Sequence, residues 1–299
     1  MVLLCLLYIL FASTFIFARQ AVLIAPPVFF IALRMMIAGI ILLLASKFQK
    51  QVFCIKKKEL VWFAGIVFFH VYCAYVLEFI SLQYLTAAKV SLLYNLTPFI
   101  TAFFAYIFFK EKLSVRKWIG LIIGFCAFMP VLLTKSTQQS SFTDTLIAEI
   151  LLLIAIASSC IGWIFMKKLI TTFEHSYFFV NGVGMFFGGL LAGVHAYFFE
   201  TLPALSCLLH NHTFLISLFY LIFVGNIICY NLYGNLLKKY SPTTLSFFGI
   251  TTPLFAALFE WIFFSESVKL SFFITVICAF LGLYIFYKDE LKEETYVQK

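Results

Sequence analysis

The chain has 299 residues, of which 64% are hydrophobic and 20% aromatic, with a mean hydropathy of +1.05 and a formal charge of +8. An apolar share that far above the roughly 45–50% of a soluble domain excludes a water-soluble globule and leaves a protein whose solvent is the bilayer. The positive charge would suggest nucleic acid in a soluble chain; in a membrane protein its meaning depends on which loops carry it.

A bilayer core needs about 20 apolar residues per helix at about 1.5 Å rise. The sequence predicts ten such helices, near 1–18, 27–45, 60–82, 86–109, 116–134, 145–166, 176–199, 213–237, 243–264 and 270–287. The first has no basic residue before its apolar core, no clear small-x-small cleavage site and another span directly after it, so it reads as a helix rather than a signal peptide. The second carries Arg34 about two turns in, deep enough to act either on neighbouring carbonyls or on a solute. In the third, Tyr72, Tyr75 and Glu78 form a stripe suited to a proton or a cation, and His70 near mid-span reads as a packing residue. The cost of a carboxylate at a lipid-facing helix centre, about 2.5 to 3.5 kcal/mol, favours an inward Glu78.

The fourth span, taken as a regular helix, lines up Ser91, Tyr94, Pro98, Thr101 and Ala105 on one face, and its Asn95 is a further solute candidate. Lys89 lies off that face near the outer end. It has three readings: snorkelling to water, pairing with Glu78 at similar depth, or binding solute. In the eighth span Asn226, Tyr230 and Tyr233 share a face that could meet solute, while Asn231 and Asn235 lie opposite and suit helix contacts. The ninth repeats the fourth with Ser246, Gly249, Pro253, Ala256 and Glu260. Gly120 with Gly124, Gly184 with Gly188, and Gly189 with Gly193 are small-xxx-small packing signals. The eight cysteines form no CxxC pair and read as small apolar fillers.

The repetition has a register. Residues 88–112, "AKVSLLYNLTPFITAFFAYIFFKEK", align without gaps on residues 243–267, "TTLSFFGITTPLFAALFEWIFFSES", pairing Ser91 with Ser246, Thr97 and Pro98 with Thr252 and Pro253, and Glu111 with Glu266. A weaker echo links "FIFARQ" at 15–20 with "WIFMKK" at 163–168. The expected domains are therefore two five-helix repeats, residues 1–140 and 141–299. Five is odd, so the halves must run in opposite directions through the membrane, as in carriers that work by alternating access around a midplane site. The expected fold class is an all-α integral membrane protein of ten transmembrane helices in two inverted repeats.

Ten spans in two halves, Arg34 in the second, and a fourth and ninth span each with a mid-helix proline and ending in "FFKEKLS" and "FFSESVK" resemble the EamA-type members of the drug/metabolite transporter superfamily, over roughly residues 1–287. The resemblance implies a carrier whose solutes range from amino acids and nucleotide-like metabolites to S-adenosylmethionine and drugs. The second half has no basic residue around Gly182 and Val183, the stretch in register with Arg34, so any role of Arg34 is not duplicated.

Cationic residues sort by side. Lys47, Lys50 and Lys56 to Lys58, then Lys110, Lys112, Arg116 and Lys117, Lys167 with Lys168, Lys238 with Lys239, and the tail residues Lys288, Lys292 and Lys299 all fall on one face of the membrane, against Arg19, Lys135 and Lys269 on the other. The positive-inside rule puts both termini in the cytoplasm of a cytoplasmic-membrane protein. The expected partners are a small-molecule solute and the lipid bilayer, with no nucleic acid and with a homodimer left open; no cofactor and no metal are expected. No GxxxxGK[ST] loop is present, so transport would draw on a gradient or on exchange. Catalysis is disfavoured: there is no HExxH, no GxSxG and no aspartate pair, and Asp144 and Asp289 lie outside the spans. The function expected is secondary transport of an amino acid or S-adenosylmethionine-like solute at Tyr72, Tyr75, Glu78, Lys89, Ser91, Tyr94, Asn95, Thr101, Asn226, Tyr230, Gly249 and Glu260, with Arg34, His70, Pro98 and Pro253 structural or solute-binding. A broad-specificity exporter, a channel and an intramembrane enzyme are the alternatives, in that order.

Overall fold

The computed structural model describes residues 2–48, 55–109, 115–127, 141–202, 205–238, 245, 249, 252–264 and 270–287. These fold into α1 (Val2–Val22), α2 (Pro27–Phe48), α3 (Lys57–Ser81), α4 (87–109), α5 (Val115–Ala127), α6 (Phe142–Thr171), α7 (Tyr177–Phe199), α8 (His212–Leu236), α9 (Thr252–Phe264) and α10 (Leu270–Tyr287), with a short helix at Leu205–Leu209 and no strand among the described residues. Five of these helices, α2, α3, α6, α7 and α8, are long and apolar enough to cross a membrane. Ser246, the charged segments 110–114 and 265–269, and the side chain of Glu260 lie outside the described residues.

Local chemistry sets the helix starts. Pro27 opens α2, where a missing N–H costs nothing, and the first-turn donors after it, the N–H groups of Val28 and Phe29, reach the Glu200 carboxylate at the end of α7 at 2.9 and 2.7 Å. Side chains of Thr86, Ser141, Ser176 and Asn211 cap α4, α6, α7 and α8 by accepting from backbone N–H groups, satisfying donors that bilayer surroundings would leave bare.

Glycines bring α2 and α7 into backbone contact. A Cβ on Gly39 would lie 2.5 Å from the backbone N of Phe186, and one on Gly189 would lie 2.8 Å from that of Met36. Each pair becomes the other when 150 is added to its first-half member and subtracted from its second. Gly182 against Leu43 and Gly193 against Ala32 behave in the same way. The small-residue pairs of α7 are thus packing devices, as their spacing predicts.

Two helices depart from α-geometry at matching places. In α3 the stretch Ile66–Cys73 is π-helical, and in α8 the stretch Leu221–Cys229 is, beginning 155 residues later. Reciprocal contacts surround them: Phe17 of α1 stacks on Tyr220 at 4.0 Å between ring centroids, and Phe165 of α6 lies against Gly65. Tyr75 and Tyr230, 155 residues apart and each just past its π-helical stretch, hydrogen-bond to each other through their hydroxyls. In α4 the helix tightens to a 3-10 turn at Tyr94–Leu96 before resuming at Thr97. Pro98 supplies the reason: it has no N–H for the carbonyl four residues back, so the preceding turn rearranges.

Candidate solute-binding site

A cavity of about 140 Å³ lies where α1, α3, α4, α6 and α8 converge. The first half contributes Tyr8, Phe11 and Phe15 from α1, Arg34 from α2, Tyr75 and Glu78 from α3, and Tyr94, Asn95 and Thr97 from α4. The second contributes Ser159 and Trp163 from α6, Gly225, Tyr230 and Tyr233 from α8, and Gly249 and Thr252.

Two opposite charges stand in this cavity. Arg34 is 3% exposed and Glu78 7%, so each must be compensated locally, since a buried ion without partners costs several kcal/mol. Arg34 donates from Nε to Asn226 Oδ1 at 2.6 Å, and its guanidinium lies over the rings of Tyr75 at 5.0 Å and Phe79 at 5.7 Å, on faces of negative electrostatic potential. Asn226 is fully buried, with its Nδ2 against the sulfurs of Met35 and Met185 at 3.0 and 3.3 Å, which leaves its oxygen turned to Arg34. Glu78 accepts a hydrogen bond from the Tyr94 hydroxyl at 2.7 Å. No ion pair joins Arg34 to Glu78 among the described residues.

The second-half lining is largely aromatic. Trp163 stacks on Tyr233 at 3.9 Å and tilts against Tyr230 at 5.2 Å. His70 stands behind it, 1% exposed and edge-on to Trp163 at 4.3 Å, while Gly162 leaves room for the imidazole ring.

Of the residues expected to meet solute, the fold gathers Tyr75, Glu78, Tyr94, Asn95, Tyr230, Gly249 and Arg34 around one space. Others sit elsewhere. Tyr72 bonds His195 of α7 at 2.9 Å instead of lining the cavity, because the π-helical turn preceding Tyr75 breaks the even stripe drawn from Tyr72 to Glu78. Ser91 donates to the Ala88 carbonyl at 2.9 Å, and Pro98 and Thr101 are buried away from the cavity. The 3-10 turn replaces the regular face Ser91, Tyr94, Pro98, Thr101 with the set Tyr94, Asn95 and Thr97. Asn226 acts behind Arg34 rather than on the lining. Asn231 makes a helix contact as expected, accepting from Asn181 of α7 at 3.1 Å. Pro253, like Pro98, stays off the lining.

The Glu78 to Lys89 pairing is corrected. Lys89 forms a buried ion pair with Glu149 of α6, and Glu78 turns to Tyr94. Lys89 projects from the first turn of α4 towards α6, where Glu149 sits at the same depth. Sequence reasoning overlooked Glu149, although a glutamate two turns inside an apolar span was the available signal. It also did not single out Trp163, Tyr8, Phe11 and Phe15, which line the cavity; nothing in composition separates them from lipid-facing aromatics.

Apolar helices around a buried, charged, partly aromatic cavity suit a membrane transporter. The model of the EamA-like transporter family matches residues 1–133 and again 146–288, and the chain belongs to that family. It is an integral membrane transporter and not an enzyme. A protein of Chlamydia muridarum named S-adenosylmethionine/S-adenosylhomocysteine transporter is 30% identical over 290 residues, covering 95% of this chain and 90% of that one. A protein of the same name from Chlamydia trachomatis serovar L2 is 28% identical over 290 residues, covering 95% and 88%. A solved crystal structure shares the fold with a TM-score of 0.69 at 15% identity, over 95% of this chain and 94% of its own.

Proposed function

We propose that this protein is a secondary transporter for S-adenosylmethionine-like solutes in a cytoplasmic membrane, working by alternating access between two inverted five-helix halves. The observation that carries the reading is the cavity lined by both halves, which holds an arginine, a glutamate and a set of aromatic rings: charges for a charged solute, rings for a flat one. The names of the chlamydial relatives support the solute class. The inverted halves are supported by the reciprocal contacts of α2 with α7, of α1 and α6 with α8 and α3, and by Tyr75 meeting Tyr230, as expected of equivalent positions beside a two-fold axis. On that reading the equivalent of Arg34 is Gly184 rather than Gly182, again not a basic residue. Both termini are cytoplasmic by loop charge.

The test is counterflow with the full-length protein in liposomes preloaded with S-adenosylhomocysteine. Uptake of labelled S-adenosylmethionine is expected to saturate with concentration and to accelerate over that into empty vesicles. Uptake that rises linearly without acceleration overturns the carrier reading, and saturable transport that neither adenosyl compound inhibits overturns the solute class.

A further inference from the structure

We infer that Arg34 and Glu78 form a clamp for an α-amino-acid group, with the solute carboxylate on Arg34 and its ammonium on Glu78, and with Asn226 and Tyr94 as positioning residues. The inference rests on the proposed carrier site and goes beyond it by orienting the solute. Its amino-acid end lies towards α2 and α3 and its ring towards Trp163, Tyr230 and Tyr233.

The geometry argues for this in three steps. First, Asn226 occupies Nε of Arg34, so the edge made by the two terminal nitrogens is what the guanidinium presents, and that edge matches a carboxylate bidentately. Gly225 keeps that end clear, since a Cβ there would come within 3.1 Å of Nη2. Second, Tyr94 occupies Oε2 of Glu78, which leaves Oε1 as the acceptor for an ammonium. Third, the two charges share one cavity without an ion pair between them. A zwitterion set against them neutralises both at once, whereas a solute with a single charge leaves the other buried and uncompensated, which is costly.

The test is equilibrium binding to purified full-length protein of S-adenosylhomocysteine and of 5′-methylthioadenosine, a nucleoside thioether that lacks the amino-acid group. Arg34→Lys, which keeps charge but loses the fork, and Glu78→Gln are each expected to weaken S-adenosylhomocysteine by about 10- to 100-fold, the range for a charge-assisted contact, while changing methylthioadenosine by less than about 3-fold. Asn226→Ala shifts the same ratio in the same direction and stands in for Arg34→Lys should that variant not run as a monodisperse species. Equal losses for both ligands mean that these residues only hold the fold and overturn the clamp. A loss in Glu78→Gln seen with S-adenosylmethionine but not with S-adenosylhomocysteine puts Glu78 at the sulfonium and overturns the assignment of the ammonium. If the wild type binds neither adenosyl ligand, the proposed solute fails, and the clamp is judged with L-tryptophan against tryptamine and indole-3-propionate. A preference for the amino acid that Arg34→Lys erases against the amine, and Glu78→Gln against the acid, sustains it. No preference overturns it.

Discussion

The two halves of this transporter repeat each other's mechanics but not each other's chemistry. The π-helical stretch of α3 recurs in α8, and the glycine contact of α2 on α7 recurs with the roles exchanged. Yet the position 155 residues after Glu78 is Tyr233, and the position 150 residues after Arg34, the offset that relates α2 to α7, is Gly184. Among the described residues both cavity charges thus come from the first half, and the second supplies rings and the amide of Asn226 that holds Arg34. Under the proposed alternating access, duplicated backbone geometry lets both halves move alike, whereas the proposed solute with two different ends is best met by different side chains. The halves differ at their helix contacts too: α4 meets α6 with the buried pair Lys89 and Glu149 between them, while the Tyr8 hydroxyl of α1 donates to the Leu245 carbonyl.

That last difference yields the largest expected effect. Lys89→Met leaves the Glu149 carboxylate buried without its ammonium and should cost about 3–5 kcal/mol of stability, against about 1 kcal/mol for Tyr8→Phe. Thermal unfolding in detergent reads both, and the double variant Lys89→Met with Glu149→Leu should recover most of the loss; a double variant as unstable as the single would remove the ion pair from the account.

The chemical asymmetry comes next. Glu78→Gln should lower transport about 100-fold, or about 2.7 kcal/mol, whereas Tyr233→Phe, which keeps its stacking on Trp163, should stay within about 3-fold in the same liposome uptake. Comparable losses at these two equivalent positions would mean that the chemistry is shared after all.

The mechanical symmetry predicts equality instead. Gly39→Ala and Gly189→Ala each force a methyl against backbone of the facing helix and should destabilise by about 1–3 kcal/mol, to a similar degree. A large effect at one and none at the other would break the correspondence between α2 and α7. The smallest effects belong to the symmetric hydroxyl pair: Tyr75→Phe and Tyr230→Phe should each cost about 1 kcal/mol. Because they share one bond, the double variant should cost about the same as either single, and full additivity would show that the hydroxyls act apart.

Much of this was legible in the primary structure, because lipid imposes a simple rule on it. Apolar runs of bilayer length, the 155-residue echo around Pro98 and Pro253, the skew of lysines and the deep Arg34 and Glu78 are all written residue by residue, and burying charge in hydrocarbon is too costly to be accidental. Which polar residues share a space was not, since a face drawn at 100° per residue holds only for a regular helix. The π-helical turn in α3 carries Tyr72 away from Tyr75 and Glu78, and the 3-10 turn before Pro98 exchanges Thr101 for Asn95 and Thr97. The partners of Lys89 and Arg34 were out of reach for another reason: Glu149 and Asn226 come from helices far along the chain, and only the packing of helices through glycine-sized gaps decides which buried donor meets which buried acceptor.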